Sequence, residues 1–171
     1  MKSQLAIGIM SGTSMDGLDL ALCEFQLHST GWRYKIIKAD TLPYTKEWQE
    51  KLILVPSVSG MELMQLHSEY GRFIGLEVKK FLRKTDLKAE LICSHGHTVF
   101  HQPKNGFTFQ LGDGSAIAAS SGITTISDFR NLNVALGGQG APLVPLGDEV
   151  LFPDYNYCLN LGGISNISFQ Q

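Results

Sequence analysis

The chain has 171 residues, with 14 lysines and arginines against 16 aspartates and glutamates, a formal net charge of −2. At 43% hydrophobic and 18% charged, with three cysteines and no apolar run near the roughly 20 residues of a bilayer span, it is neither disordered, disulfide-stapled nor membrane-spanning in composition. The slightly acidic balance without a Lys/Arg stripe argues against nucleic acid as a partner, and no basic, then apolar leader opens the sequence, so the expectation is a reduced, cytoplasmic protein.

Residues 5–10 (LAIGIM) read as a buried strand, and residues 18–26 (LDLALCEFQ) alternate with period two as a second. The glycine-rich SGTSMDG between them makes a hairpin with a long tip. Residues 34–42 give a third strand, ended by Pro43. From Gly60 to about Lys84 the apolar positions Leu63, Leu66, Tyr70, Phe73, Ile74, Val78, Phe81 and Leu82 follow helical spacing, so a long amphipathic helix is predicted with its stripe in the core. Residues 90–94 (ELICS) form a short strand leading into a loop that carries His95, Gly96, His97 and Thr98. A helix from Asp113 or Gly114 to Ser121 has Asp113 as its N-cap. Residues 123–127 form another strand, followed by Asp128, Phe129 and Arg130. The fold class is therefore α/β, a mixed sheet opened by a three-stranded meander.

The segment YCLNLGGISNIS, residues 157–168, is again strand, glycine tip and strand, echoing the first hairpin. The chain thus reads as one whole domain, residues 1–156, followed by the opening hairpin of a second, residues 157–171.

Among the 18 glycines, clusters at Gly12–Gly17, Gly96, Gly112–Gly114, Gly137–Gly140 and Gly162–Gly163 follow apolar, β-prone stretches, which suggests a site built from backbone. Gly12-Thr13-Ser14-Met15-Asp16-Gly17 has the glycine spacing of a nucleotide-binding P-loop, yet Leu18 and Asp19 stand where that loop needs Lys and Ser/Thr. A tip dense in N–H groups and hydroxyls, with one carboxylate, still suits phosphate oxygens and a Mg²⁺-associated water; an ordinary turn is the alternative. His95, His97 and His101, with Asp113 or Asp128, could form a metal site, or the histidines could bond loop backbone or a polar substrate. His28 and His67 read as surface or helix-face residues. Arg130 offers a planar fork for a carboxylate or phosphate, or a salt bridge to Asp128. Residues 137–142 (GGQGAP) read as a hinge or a binding loop, and the cysteines as packed small hydrophobes.

MSGTSMDG, SHGHT, QLGD, DFR, GGQGAPLVP and NLGGISN occur in that order between Met10 and Asn166. As a set they resemble the anhydro-N-acetylmuramic acid kinase family of cell-wall recycling. The resemblance implies an actin-like ATPase fold, related to sugar kinases and Hsp70, with two similar domains around a cleft. It implies ATP and Mg²⁺ as cofactors and 1,6-anhydro-N-acetylmuramic acid as substrate. O6 of the sugar is phosphorylated while water opens the anhydro bridge at C1, giving N-acetylmuramic acid 6-phosphate. Carried over by position, Gly12, Thr13, Ser14, Met15, Asp16, Gly17, Leu18 and Asp19 form the phosphate segment, with Asp16 on the Mg²⁺ side. His97, Thr98 and Arg130 face the sugar, Arg130 toward its lactyl carboxylate.

The resemblance also implies a homodimer. The family's water-activating aspartate lies in an Asp-Thr-Gly-Pro-Gly-Asn stretch that these residues do not contain. The chain therefore resembles the N-terminal half of the enzyme and is expected not to turn over alone. The alternatives are a non-catalytic sugar-binding half-domain and a metal-dependent hydrolase using His95, His97 and His101.

Overall fold

The computed structural model describes residues 3–12, 14–161 and 165–169. Thr13 of the first glycine tip and Gly162 and Gly163 of the second lie outside the described residues.

Strands β1 (Ser3–Ser11), β2 (Gly17–His28) and β3 (Gly31–Pro43) form the expected antiparallel meander. Helix α1 (Lys46–Leu54) follows, then α2 (Gly60–Arg83), whose capping box is made by Ser59 and Glu62. Strand β4 (Leu91–Gln102) lies parallel to β1, as a helical crossover requires. Its first half pairs in parallel with β6 (Thr124–Ile126) and its second half pairs antiparallel with β5 (Phe107–Leu111). The six-stranded sheet therefore has the order β3-β2-β1-β4-β5, with β6 also on β4. Helix α3 (Gly114–Ser121) is capped by the Asp113 side chain, which accepts from Ser115 N–H at 2.9 Å. Short helices α4 (Asn131–Ala135) and α5 (Val144–Leu151) flank the glycine-rich segment 137–142 read as hinge, and β7 (Tyr157–Leu161) and β8 (Ser165–Phe169) form a separate two-stranded sheet.

The core lies on one face of the sheet. Ile7, Ile9, Leu18, Leu20, Leu22 and Ile92 meet Tyr70, Ile74 and Val78 of α2 and Ile117 of α3. The predicted stripe of α2 is thus core, although Met61 and Met64 on the same helix are exposed. Besides α4 and α5, two further elements were not legible in advance. In α1 only Trp48 and Leu52 reach the core side, too few positions for a periodicity. In β5 the alternating Phe107, Phe109 and Leu111 sit directly after a Pro-Lys-Asn turn, beyond a strand predicted to end at residue 94.

That early end is the main correction: His95, Gly96, His97 and Thr98 are not in a loop but inside β4. Among the described residues no helix is long and apolar enough to cross a membrane.

Candidate functional site

The spacing of His95 and His97 should put both rings on one side of a strand. They lie on opposite sides because β4 carries a bulge. Ile9 pairs with Ser94 and Ser11 with His97, so Met10 alone faces both His95 and Gly96. Gly96 absorbs the extra residue with φ of 73°. The added residue turns His97 to the core face, where its Nδ1 lies 3.0 Å from Ser11 Oγ. His95 stays on the open face with Gly8, Met10, Asp19, Cys93 and Phe129, around a depression of about 700 Å³. Strand alternation turns Thr98 back toward the face of His95. A second cavity, about 750 Å³, lies between α5 and the β7–β8 hairpin, and none of the residues singled out above except Cys158 lines it.

Arg130 belongs with His95. The His95 Nδ1–H donates to the Gly96 carbonyl at 2.9 Å, which leaves Nε2 to accept from Arg130 Nε at 2.9 Å. Arg130 also donates from one terminal nitrogen to the Gly140 carbonyl at 2.6 Å, and Gly140 N–H bonds Asn133 Oδ1 at 2.6 Å. The predicted sugar-facing trio is therefore divided: Thr98 and Arg130 share the open face, while His97 points to the other. No ion pair joins Arg130 to Asp128 among the described residues. Asp128 instead holds its own turn at φ 60°, accepting from Asn131 Nδ2.

The metal-site alternative fails on the same geometry. His95 is committed to Arg130, His97 to Ser11 and His101 to Thr108 Oγ1, while Asp113 caps α3. Among the described residues no three His, Cys, Asp or Glu side chains could hold one ion.

The first glycine tip starts at Ser11, which is buried against His97 and Tyr44. Met15 adopts φ of 55° and its carbonyl accepts from Gln49 of α1. Asp16 Oδ1 accepts from Ser14 Oγ at 2.7 Å and Gly17 N–H at 3.1 Å. The Ser14 bond, then the backbone bonds, hold this carboxyl below its usual range. Its Oδ2 has no partner among the described residues. Gly12, Ser14 and Asp16 thus offer a hydroxyl, backbone donors and one ionised oxygen, which fits a phosphate with a Mg²⁺-bound water better than a metal cage. Leu18 is fully buried in the core, so its side chain cannot touch a ligand, and Asp19 faces the open side, accepting from Thr41 Oγ1 at 2.6 Å.

His67, read as a surface or helix-face residue, does lie on α2, but it is half-buried and anchors the QLGD segment: its Nδ1 accepts from Gly112 N–H at 3.0 Å and its carbonyl from Asp113 N–H at 3.1 Å. Tyr44 and Tyr70 were also missed as site residues, since nothing local marks an aromatic that will meet a strand end.

Burial pushes the His67, His95 and His97 imidazoles down. At His95 the Gly96 carbonyl opposes this and Arg130 reinforces it; at His97 the neighbouring His95 reinforces it. A histidine favoured neutral when folded takes up its proton on unfolding, so its stabilisation is full above about pH 6.5 and is lost as pH falls below that value. We expect the urea midpoint to drop from about pH 7.5 to about pH 5.5, above the range where Asp16 and Glu62 protonate, and to drop less in His67→Gln. An unchanged or rising midpoint contradicts this.

The sequence model of the family described as anhydro-N-acetylmuramic acid kinase matches residues 4–171. Proteins named anhydro-N-acetylmuramic acid kinase are similar to the chain: 42% identity with that of Mannheimia succiniciproducens, across 98% of this chain and 47% of that protein. The Pasteurella multocida protein is 42% identical across 95% of this chain and 45% of its own length, and that of Haemophilus influenzae 39% across 98% and 46%. The chain spans about half the length of the curated relatives it matches.

Proposed function

Because the chain belongs to the anhydro-N-acetylmuramic acid kinase family, we propose that it supplies the phosphate-facing and sugar-facing half of a kinase acting on 1,6-anhydro-N-acetylmuramic acid. In this reading O6 of the sugar would take the terminal phosphoryl group of Mg²⁺-bound ATP, releasing ADP, while water opens the anhydro bridge at C1 to give N-acetylmuramic acid 6-phosphate. The finer fold assignment belongs to the same reading: residues 1–156 are an actin-like ATPase domain, and residues 157–171 open a second domain like it. So does a cytoplasmic, homodimeric enzyme.

The observation that carries it is the bond from Ser11 Oγ to His97 Nδ1 at 3.0 Å. It joins the residue that opens the glycine tip to the strand carrying SHGHT, so phosphate and sugar segments meet at one end of the sheet, where α/β ligands bind. The cofactor supplies the transferable phosphoryl group and the metal charge that offsets it. The chain's own residues position. The tip's N–H groups would hold phosphate oxygens, Ser14 would keep its hydroxyl proton on Asp16 Oδ1, and Asp16 Oδ2 would hold a metal-bound water. Arg130, aimed by His95 and the Gly140 carbonyl, pairs with the lactyl carboxylate, and Thr98 bonds a sugar hydroxyl beside it. The water-activating base is an aspartate in a stretch these residues do not include.

Hydrogen exchange read by mass spectrometry tests the phosphate half. Mg·ATP should slow amide exchange across residues 12–17, and Asp16→Asn should abolish most of that protection. Protection confined to other segments, or unchanged in Asp16→Asn, contradicts the assignment.

A further inference from the structure

Three buried hydroxyls run in line from the helix layer to His97. Tyr70 OH lies 2.5 Å from Tyr44 OH, Tyr44 OH donates to Ser11 Oγ at 2.8 Å, and Ser11 Oγ lies 3.0 Å from His97 Nδ1. None of the four residues is more than 6% exposed. Each hydroxyl has one proton to give, and there are three links. Tyr44 gives its proton to Ser11, so the Tyr70–Tyr44 link uses the Tyr70 proton, and the Ser11 proton is left for Nδ1. The opposite sense, Nδ1–H into Ser11, would give Ser11 two donors and leave its own buried proton only the neighbouring Tyr70 oxygen to turn to, a contact without the geometry of a hydrogen bond. His97 Nε2 has no partner among the described residues.

We propose that Ser11, Tyr44 and Tyr70 are positioning residues that hold His97 as its Nε2–H tautomer, so that the ring presents one fixed hydrogen-bond donor to an acceptor oxygen of the ligand. The relay stands on the buried chain alone. That the ligand is a sugar, meeting Nε2–H through a hydroxyl, ether or carbonyl oxygen, rests on the reading above and requires the sugar to reach from Arg130 and Thr98 round the end of β4 to a ring on the opposite face that is 5% exposed. Because the relay begins at Tyr70 in α2 and passes through Ser11, movement of the glycine tip is felt at His97. A phosphate drawn into the tip and a sugar placed against the ring then compete for, or share, the position of one serine.

Two-bond ¹H–¹⁵N correlation spectra of the histidine rings at about pH 7.5 test this, since the ring is neutral there. The His97 ring is identified by its loss in His97→Gln. The expected spectrum has an unprotonated Nδ1 and a protonated Nε2. Ser11→Ala should convert it to a mixture of tautomers, with the other histidine rings unmoved, and Tyr44→Phe should do so in part. Should Ser11→Ala fail to fold, Tyr44→Phe carries the comparison, because it removes only one oxygen. A wild-type ring with Nδ1–H, or a tautomer indifferent to both variants, overturns the relay. Adding 1,6-anhydro-N-acetylmuramic acid should shift the Nε2–H signal, with binding about tenfold weaker in Ser11→Ala. A fixed, variant-sensitive tautomer that ignores the sugar upholds the relay and overturns the sugar-facing reading instead.

Discussion

Gly96→Ala should lower the unfolding free energy by about 3 kcal/mol, a large effect for one methyl group. Two costs combine. At φ of 73° an alanine sits in the left-handed region, worth roughly 1–2 kcal/mol. The new Cβ would also stand 2.4 Å from the Leu111 carbonyl oxygen and 3.2 Å from Gln110 Cβ, so β4 and β5 must part. Gly106→Ala separates the two. Its φ is 78°, yet nothing lies within 4 Å of a Cβ there, so only the conformational cost of about 1 kcal/mol applies. Urea unfolding of both variants reads the difference, and equal losses would mean that the bulge is not held against β5. The consequence reaches the site, because the bulge is what parts His95 from His97. A relaxed β4 would lose the Ser11–His97 bond together with its stability.

Replacing Arg130 by alanine should weaken binding of the anhydro sugar by about a hundredfold. A charge-assisted, partly buried hydrogen bond is worth roughly 1.5–3 kcal/mol, and each 1.4 kcal/mol is a factor of ten. Arg130→Lys should recover less than a tenth of the lost affinity. An ammonium cannot donate at once to His95 Nε2 and the Gly140 carbonyl, 2.9 and 2.6 Å away in two directions, and still face a carboxylate. Burial favours a neutral guanidinium, but it stays charged throughout the accessible pH range. Full activity of the lysine variant in a sugar-binding assay would make Arg130 a simple point charge and the His95 contact incidental.

These two residues also show how far the sequence could be read. Elements with a strong period were legible: the β1–β2 hairpin, the α2 stripe from Leu63 to Leu82, and Asp113 capping α3. The glycine between two histidines was visible as well, and a glycine inside a strand signals a bulge as readily as a loop. Its outcome depends on β1, 86 residues from His97 at Ser11, and no local pattern encodes that pairing. Separation in sequence likewise hid the bond from Arg130 to His95, 35 residues apart, and the meeting of Tyr44 and Tyr70 with Ser11. His67 was legible as a helix-face residue, but not its anchoring bond, because its partner, the Gly112 amide, lies 45 residues on. The ordered set of short motifs was legible as a family resemblance, whereas the side on which each residue stands came only from register.

Calorimetric titration of the chain with 1,6-anhydro-N-acetylmuramic acid tests the central claim most directly. Saturable one-to-one binding is expected, weakened about a hundredfold in Arg130→Ala and left intact in Gly106→Ala. No heat of binding, or binding that Arg130→Ala leaves unchanged, would contradict a sugar site on this half.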